Sequence, residues 1–362
     1  MILEKNKDIV PNKNITYFLN PDYIYIPASK LYVKQNDYIY KNQIIADKIA
    51  SSVSGYVLGV KKSNILGKTK NTVVIKNDYR EFIKDDKIKT KITIPNILKL
   101  LEPNKYLFDK FKSSKKFDNI IVSAINDEPY VYNEIYLFKE NITDILDFFN
   151  KLLTIYNSEN NMLIIKSTDA FIIDECLNTI GSYPEIKLSI IKDEYLLENE
   201  TFLKQKLNIK GNTLYLSIKD IVYIYNLFKG KVSSTMIITI SGDEIKESKV
   251  LRVKKNTLLK DILDKYILIK SSNYRCIVNG LMTGFEIKDL DNFVITSDVK
   301  SINIMSKKEI VKNECIKCGK CLNVCPVHIN PLSNKNIDKC IKCGLCSYVC
   351  PCGINLKEVL NK

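Results

Sequence analysis

Residues 314–326 read ECIKCGKCLNVCP, and residues 339–351 read KCIKCGLCSYVCP. Each run spaces its cysteines C-x2-C-x2-C-x3-C-P: Cys315, Cys318, Cys321 and Cys325 in the first, Cys340, Cys343, Cys346 and Cys350 in the second. Three thiolates at intervals of three wrap one corner of a four-iron cubane and leave the fourth iron to a more distant cysteine. No other feature constrains the fold so tightly, because eight side chains must be gathered within a short stretch of chain. Eight of the eleven cysteines crowd into residues 315–350, which is ligand spacing rather than a disulfide framework. Structural zinc, the alternative, favours two separated pairs of ligands over runs of four.

In two-cluster ferredoxins the fourth ligand of each cluster comes from the other run. That rule assigns Cys315, Cys318, Cys321 and Cys350 to one [4Fe-4S] cluster, and Cys340, Cys343, Cys346 and Cys325 to the second. Gly319 and Gly344, each after the second cysteine of its run, let the backbone approach the inorganic sulfur. Cys176 and Cys276 lie in apolar periodic stretches and read as inert core residues. Cys352, two residues past a ligand, reads as a spare thiol or an alternative ligand. His328, the single histidine, reads as a neighbour of a cluster and not as a ligand.

The chain has 362 residues, enough for two or three domains, and a formal charge of +14. Its lysines are spread evenly among frequent Ile, Asn and Tyr, the mark of A/T-rich codon usage. Attraction to an acidic partner or an anionic membrane is the next reading of the charge. Nucleic acid is excluded as a partner, since no basic helix or aromatic binding motif appears. No apolar run approaches the roughly 18 residues that span a bilayer, and MILEKNKDIVPNKN is too charged for a signal peptide. The expected location is cytoplasmic, or peripheral on the cytosolic face of the cell membrane.

Strand-like segments broken by Asn, Gly and Asp fill residues 21–77. Within them LYVKQNDYIYKNQIIADKIASSVSGYV resembles the flattened barrel of biotinyl and lipoyl domains. Those domains carry a prosthetic group on a hairpin lysine; the hairpin is read here as ASSVSGYV, without one. Strand-like runs (NIIVSAI, NMLIIKS, IKLSIIK) then alternate with helical patterns (ITDILDFFNKLLTIY, DAFIIDECLNTI), implying a three-layer α/β domain. From residue 232, a hairpin turning at Ser241–Glu244, a further strand and a helix from Thr257 make a β-grasp unit. The expected fold is α+β and multidomain. A lipoyl-like β-sandwich (1–85) precedes an α/β domain (86–230), a β-grasp unit (231–305) and a two-cluster ferredoxin-like domain (306–362).

This order of parts, with ISGDEI and NGLMTGF in the β-grasp unit (of the SLBB kind) and the twin cysteine runs, resembles the RnfC subunit of the Rnf-type electron transport complex. That family is related to the flavoprotein subunit of respiratory complex I. The resemblance implies a membrane-peripheral subunit passing electrons between NADH and ferredoxin, with FMN as well as iron–sulfur clusters. It also implies that AINDEPYVYNEIYLF matches the loop beside the flavin, which makes Asn126, Asp127, Glu128 and Pro129 the remnant of a flavin site. The family's phosphate-holding loop G-x-G-G-A-G-F-P-T has no counterpart: no glycine occurs between Gly67 and Gly181, and the expected position reads NKYLFDKFKSSKKFDN. Such a loop needs bare backbone N–H groups closing on phosphate. The segment between Cys325 and Cys340 is also shorter than relatives often have. Loss of FMN and NADH binding is therefore expected, leaving an electron-transfer subunit of an Rnf-like or related anaerobic reductase system rather than a hydride-transferring enzyme. The alternative is a complete NADH-dependent flavin oxidoreductase subunit of an ion-translocating complex. Expected partners are a ferredoxin or flavodoxin and the membrane subunits of an Rnf-like complex. Lys307, Lys308, Lys312, Lys317, Lys320, Lys339 and Lys342 form a collar suited to an acidic redox protein.

Overall fold

The computed structural model describes residues 11, 14–46, 49–83, 90–307, 314–333 and 336–356, which form a mixed α+β protein with several sheets. β1 (Ile15–Phe18) is followed by β2 (Tyr23–Pro27), β3 (Tyr38–Ile39), β4 (Ile44–Ala46), β5 (Ile49–Ala50), β6 (Gly55–Ile65) and β7 (Lys68–Asn77). β6 and β7 make a long antiparallel hairpin, from Gly55 opposite Asn77 to Ile65 opposite Lys68. They sit at the centre of a sheet ordered β2-β7-β6-β3, while β4 pairs with β5. Alternating Ile24 and Ile26, and Val73 and Ile75, point inward to meet Ile39, Ile45, Val53 and Val57.

The hairpin tip does not lie at residues 50–57. β4 and β5 are joined by Asp47 and Lys48, which fall outside the described residues. The serines that follow are buried because their hydroxyls are tied down. Ser51 donates to the Val53 carbonyl at 2.6 Å, Ser54 to Asp78 at 2.6 Å, and Ser52 to the Lys255 carbonyl at 2.8 Å.

Next come α1 (Ile94–Leu101), α2 (Lys105–Lys112), β8 (Asn119–Ser123), α3 (Asn133–Glu140), α4 (Ile142–Tyr156), β9 (Asn160–Lys166), α5 (Ala170–Ile180), β10 (Lys187–Ile191), α6 (Glu200–Lys206), β11 (Thr213–Ser217) and α7 (Ile218–Phe228). The four strands are parallel and ordered β10-β9-β8-β11. α4 buries Ile142, Ile145, Phe149, Leu152 and Tyr156 at helical spacing. Ile120 and Val122 of β8 face the larger core, and Ile121 faces a smaller one that includes Leu203 of α6. Both faces of the sheet are thus covered, as parallel sheets require. β9 and β10 lie on one side of β8 and β11 on the other, so the strand order reverses at β8. Ligand crevices in such sheets open beyond the carboxyl ends of the strands at that reversal. The loop leaving β8 there contains Asn126–Pro129.

β12 (Thr235–Ser241), β13 (Lys249–Lys254), β14 (Thr257–Leu258), α8 (Leu259–Tyr266), β15 (Tyr274–Val278), β16 (Phe285–Ile287), β17 (Val294–Ile295) and β18 (Ser301–Ser306) complete the sheets. The largest is six-stranded, β1-β13-β12-β18-β15-β16, with β1 parallel to β13 and β12 parallel to β18. The helix begins at Leu259 rather than Thr257, because Thr257 and Leu258 pair with β17. α9 (Lys320–Asn323) and α10 (Leu345–Tyr348) lie inside the two cysteine runs. The runs repeat each other's backbone. Lys317 and Lys342 have φ of 56° and 55°, Gly319 and Gly344 of 74° and 78°, His328 and Gly353 of 54° and 66°. His328 therefore occupies a left-handed turn position that its counterpart fills with glycine.

Candidate iron–sulfur centres and the cavity beside them

The eight run cysteines line two cavities. One is bounded by Cys315, Cys318, Cys321 and Cys350, the other by Cys340, Cys343, Cys346 and Cys325. Each cavity takes three thiols from one run and the fourth from the other. In each run the backbone N–H two residues after the first cysteine donates to its sulfur, Lys317 to Cys315 and Lys342 to Cys340, both at 3.4 Å. The rest of the lining is largely apolar: Pro326, Val327, Ile329, Ile337 and Leu345 in one, Ile316, Leu332, Pro351, Ile354 and Leu356 in the other. No carboxylate or histidine lines either. Among the described residues no three His, Cys, Asp or Glu side chains are gathered to hold a single metal ion. Four soft sulfur donors spread around a largely apolar cavity suit a [4Fe-4S] core, which fills the space between its ligands, better than one zinc ion.

Cys352 also lines the first cavity and is only 4% exposed. Cys176 and Cys276 are buried in the cores, where burial pushes their thiols up to about 11 and about 12. His328 is exposed and lines neither cavity. Of the collar, Lys307, Lys317, Lys320, Lys339 and Lys342 are exposed, while Lys308 and Lys312 lie outside the described residues.

The loop after β8 is held from every side. Asn126 accepts from the Glu134 N–H at 2.9 Å, and its carbonyl accepts from Lys166 at 2.8 Å. Asp127 accepts from the Glu198 N–H at 2.6 Å, and Glu198 in turn meets Lys300 at 2.9 Å. Burial pushes Asp127 up to about 7, against that N–H bond, and its Oδ1 has no hydrogen-bond partner. Glu128 accepts from the N–H groups of Met282 at 2.9 Å and Thr283 at 2.7 Å, and from the Thr283 hydroxyl. Burial still raises its pKa. A Cβ on Gly280 would fall 2.3 Å from the Glu128 carboxylate, so only glycine permits this approach. Pro129 is buried behind them. Glu128 thus staples the NGLMTGF loop to the parallel-sheet unit.

A cavity opens over this loop. It is lined by Asn126, Asp127 and Glu128, by Tyr195, Glu198 and Lys300, and by Ile341, Lys342 and Cys343. The last three also line the second cysteine cavity, so the two spaces adjoin. Tyr195 donates its hydroxyl to the Cys343 carbonyl at 2.5 Å, and Tyr195, Met282 and Leu345 pack together. The cysteine-rich end is therefore seated on the loop at the sheet's reversal point. Glu198, Lys300 and Tyr195 belong to no motif in the sequence; only the topology brings them here.

Where the phosphate-holding loop of the resembled family would lie, residues 104–119 form α2 and its exit turn. The Asn104 side chain caps the helix by accepting from the Leu107 N–H, and Lys110 donates to the Tyr215 carbonyl at 2.7 Å.

No protein-family model matches the chain. The RnfC subunit of the ion-translocating oxidoreductase complex of Buchnera aphidicola subsp. Acyrthosiphon pisum is 26% identical over 359 residues, covering 88% of this chain and 75% of that protein. Its counterpart in the Na(+)-translocating ferredoxin:NAD(+) oxidoreductase complex of Acetobacterium woodii is 21% identical over 346 residues, covering 83% and 76%. The counterpart in the proton-translocating complex of Clostridium ljungdahlii is 36% identical over 98 residues, 26% of this chain and 21% of that protein. An NAD+-reducing [NiFe]-hydrogenase in the H2-reduced state matches at TM-score 0.47 and 10% identity, over 59% of this chain and 47% of that one. Over most of its length the chain is similar to the RnfC subunits of ion-translocating oxidoreductase complexes. No helix among the described residues is long and apolar enough to cross a membrane.

Proposed function

We propose that this chain is an electron-transfer subunit of an ion-translocating ferredoxin:NAD oxidoreductase, or of a related reductase system, holding two [4Fe-4S] clusters and no flavin. The observation that carries this reading is the pair of cysteine-lined cavities, each drawing its fourth thiol from the opposite run. Cys315, Cys318, Cys321 and Cys350 hold one cluster, and Cys340, Cys343, Cys346 and Cys325 the other. Such clusters supply one-electron carriers whose potential depends on hydrogen bonds to sulfur and on exposure. The Lys317 and Lys342 N–H groups make such bonds, and Cys315 and Cys318 are more exposed than the cysteines of the second cavity.

The parallel-sheet unit is the degenerate relative of a flavoprotein domain. With α2 in place of a glycine loop, no run of bare N–H groups is offered to a phosphate. Asp127, Glu128 and Glu198 line the adjoining cavity together with Lys300 and Lys342. Residues 1–85, apart from β1, which pairs with β13, serve as a lipoyl-like docking module, 231–305 together with β1 as a β-grasp unit of the SLBB kind, and 306–362 as the ferredoxin-like domain. The electron donor or acceptor is a second protein, a ferredoxin or flavodoxin, drawn by the lysine collar. Membrane subunits of the complex anchor the chain peripherally.

The crossed ligand assignment is tested with three serine variants. The four-iron signal lost in Cys325→Ser should be the one lost in Cys340→Ser. If Cys325→Ser instead reproduces the loss seen in Cys315→Ser, the assignment is wrong.

A further inference from the structure

A cavity of about 150 Å3 lies between α3, α7, the start of β12 and the segment before β18. Its lining includes four cationic side chains, Lys219, Arg252, Lys255 and Lys300, and no carboxylate. Two of these are neutralised by acids outside the lining, Arg252 by Glu140 and Lys300 by Glu198. Among the described residues the other two make no ion pair. The Lys219 ammonium donates to the Ser297 carbonyl at 3.2 Å, while its backbone N–H donates to the buried Glu134 carboxylate at 2.9 Å. Burial, and then the charge of Lys219, push the Lys255 ammonium down to about 8. Lys219 is exposed at the rim and Lys255 is part-buried, and a bound anion relieves the repulsion between their like charges.

The rest of the lining fits that role. Leu137, Val222, Met236 and Ile237 form an apolar wall. A cavity of this volume has room for a single aromatic ring. It contains none of residues 126–129 and no cysteine, and so is separate from the redox region, although Lys300 lines both spaces.

We propose that this cavity binds a small organic anion, its carboxylate or phosphate held by Lys219 and Lys255 and its apolar body lying against Leu137, Val222, Met236 and Ile237. Calorimetric titration of the intact, cluster-loaded protein at constant ionic strength tests this with phenyl phosphate, benzoate and inorganic phosphate as probes. Saturable one-site binding of phenyl phosphate or benzoate is expected, tighter than inorganic phosphate, and the preferred ring compound identifies the head group. Lys255→Gln should weaken it at least about tenfold, or 1.4 kcal/mol. Lys187→Gln, at an exposed position on β10, should leave it unchanged. Should Lys255→Gln fail to fold, Lys219→Gln takes its place with the same expected loss. Absence of saturable binding by all three probes would overturn the proposal. So would equal affinity in wild type and the Lys255 or Lys219 variant, or equal losses in those variants and Lys187→Gln.

Discussion

Alanine at Gly344 and alanine at Gly319 differ in one physical respect. Both glycines precede a short helix at positive φ, 78° and 74°. Both substitutions therefore carry the same left-handed penalty, about 1–2 kcal/mol. A Cβ on Gly319 meets nothing within 4 Å, whereas one on Gly344 would lie 2.0 Å from the Met282 carbonyl oxygen. Relieving that overlap requires the second cysteine run or the 279–285 loop to move, and the loop is stapled by Glu128. Forced overpacking costs about 1–3 kcal/mol. Gly344→Ala should thus open the contact about 2 kcal/mol more readily than Gly319→Ala, roughly a thirty-fold difference. Amide hydrogen exchange at residues 281–284 and 343–346 reads this local opening, with the visible spectrum reporting whether the clusters remain. Equal protection in the two variants would refute the seating of the second run on this loop.

Cys352→Ala should retain the iron content of the wild type, since Cys350 carries the following proline that sets a ligand's backbone; loss of iron would make Cys352 a ligand. Asp127, raised from 3.8 to about 7 by burial, favours its protonated form in the folded chain, so its contribution to stability is lost as pH rises through that window. Asp127→Asn keeps the acceptor for the Glu198 N–H and should flatten the fall in stability between pH 4 and 7 in denaturant titrations; an unchanged slope would assign the pH dependence elsewhere, Glu134 first. Reduction of the protein by a low-potential ferredoxin should slow steeply with ionic strength, because salt shortens the reach of the exposed lysines; rates independent of salt would remove the collar from the interaction.

What was legible in the sequence follows the range over which each signal acts. The cysteine spacing is a local signal, readable within each run without knowledge of the fold. The loop at Asn126–Pro129 was legible only through family resemblance, and its role as the anchor of Met282 and Thr283 was not. Those partners lie some 150 residues away in the chain, and nothing in either segment encodes the other. The same holds for β1, whose pairing with β13 leaves no mark in ITYF itself. The hairpin between β4 and β5 was misplaced because Ser51–Ser54 looks like a turn, whereas its hydroxyls are bonded inward. The missing glycines carry the expectation about flavin because a phosphate loop is a backbone device, built from bare N–H groups.

The measurement that bears most directly on the proposed function is a joint determination of iron, acid-labile sulfide and extractable flavin in anaerobically purified protein, followed by addition of NADH alone. About eight iron and eight sulfide per chain are expected from two four-iron clusters, with no flavin and no bleaching by NADH. About four iron, zinc in place of iron, or flavin together with rapid reduction by NADH would contradict it.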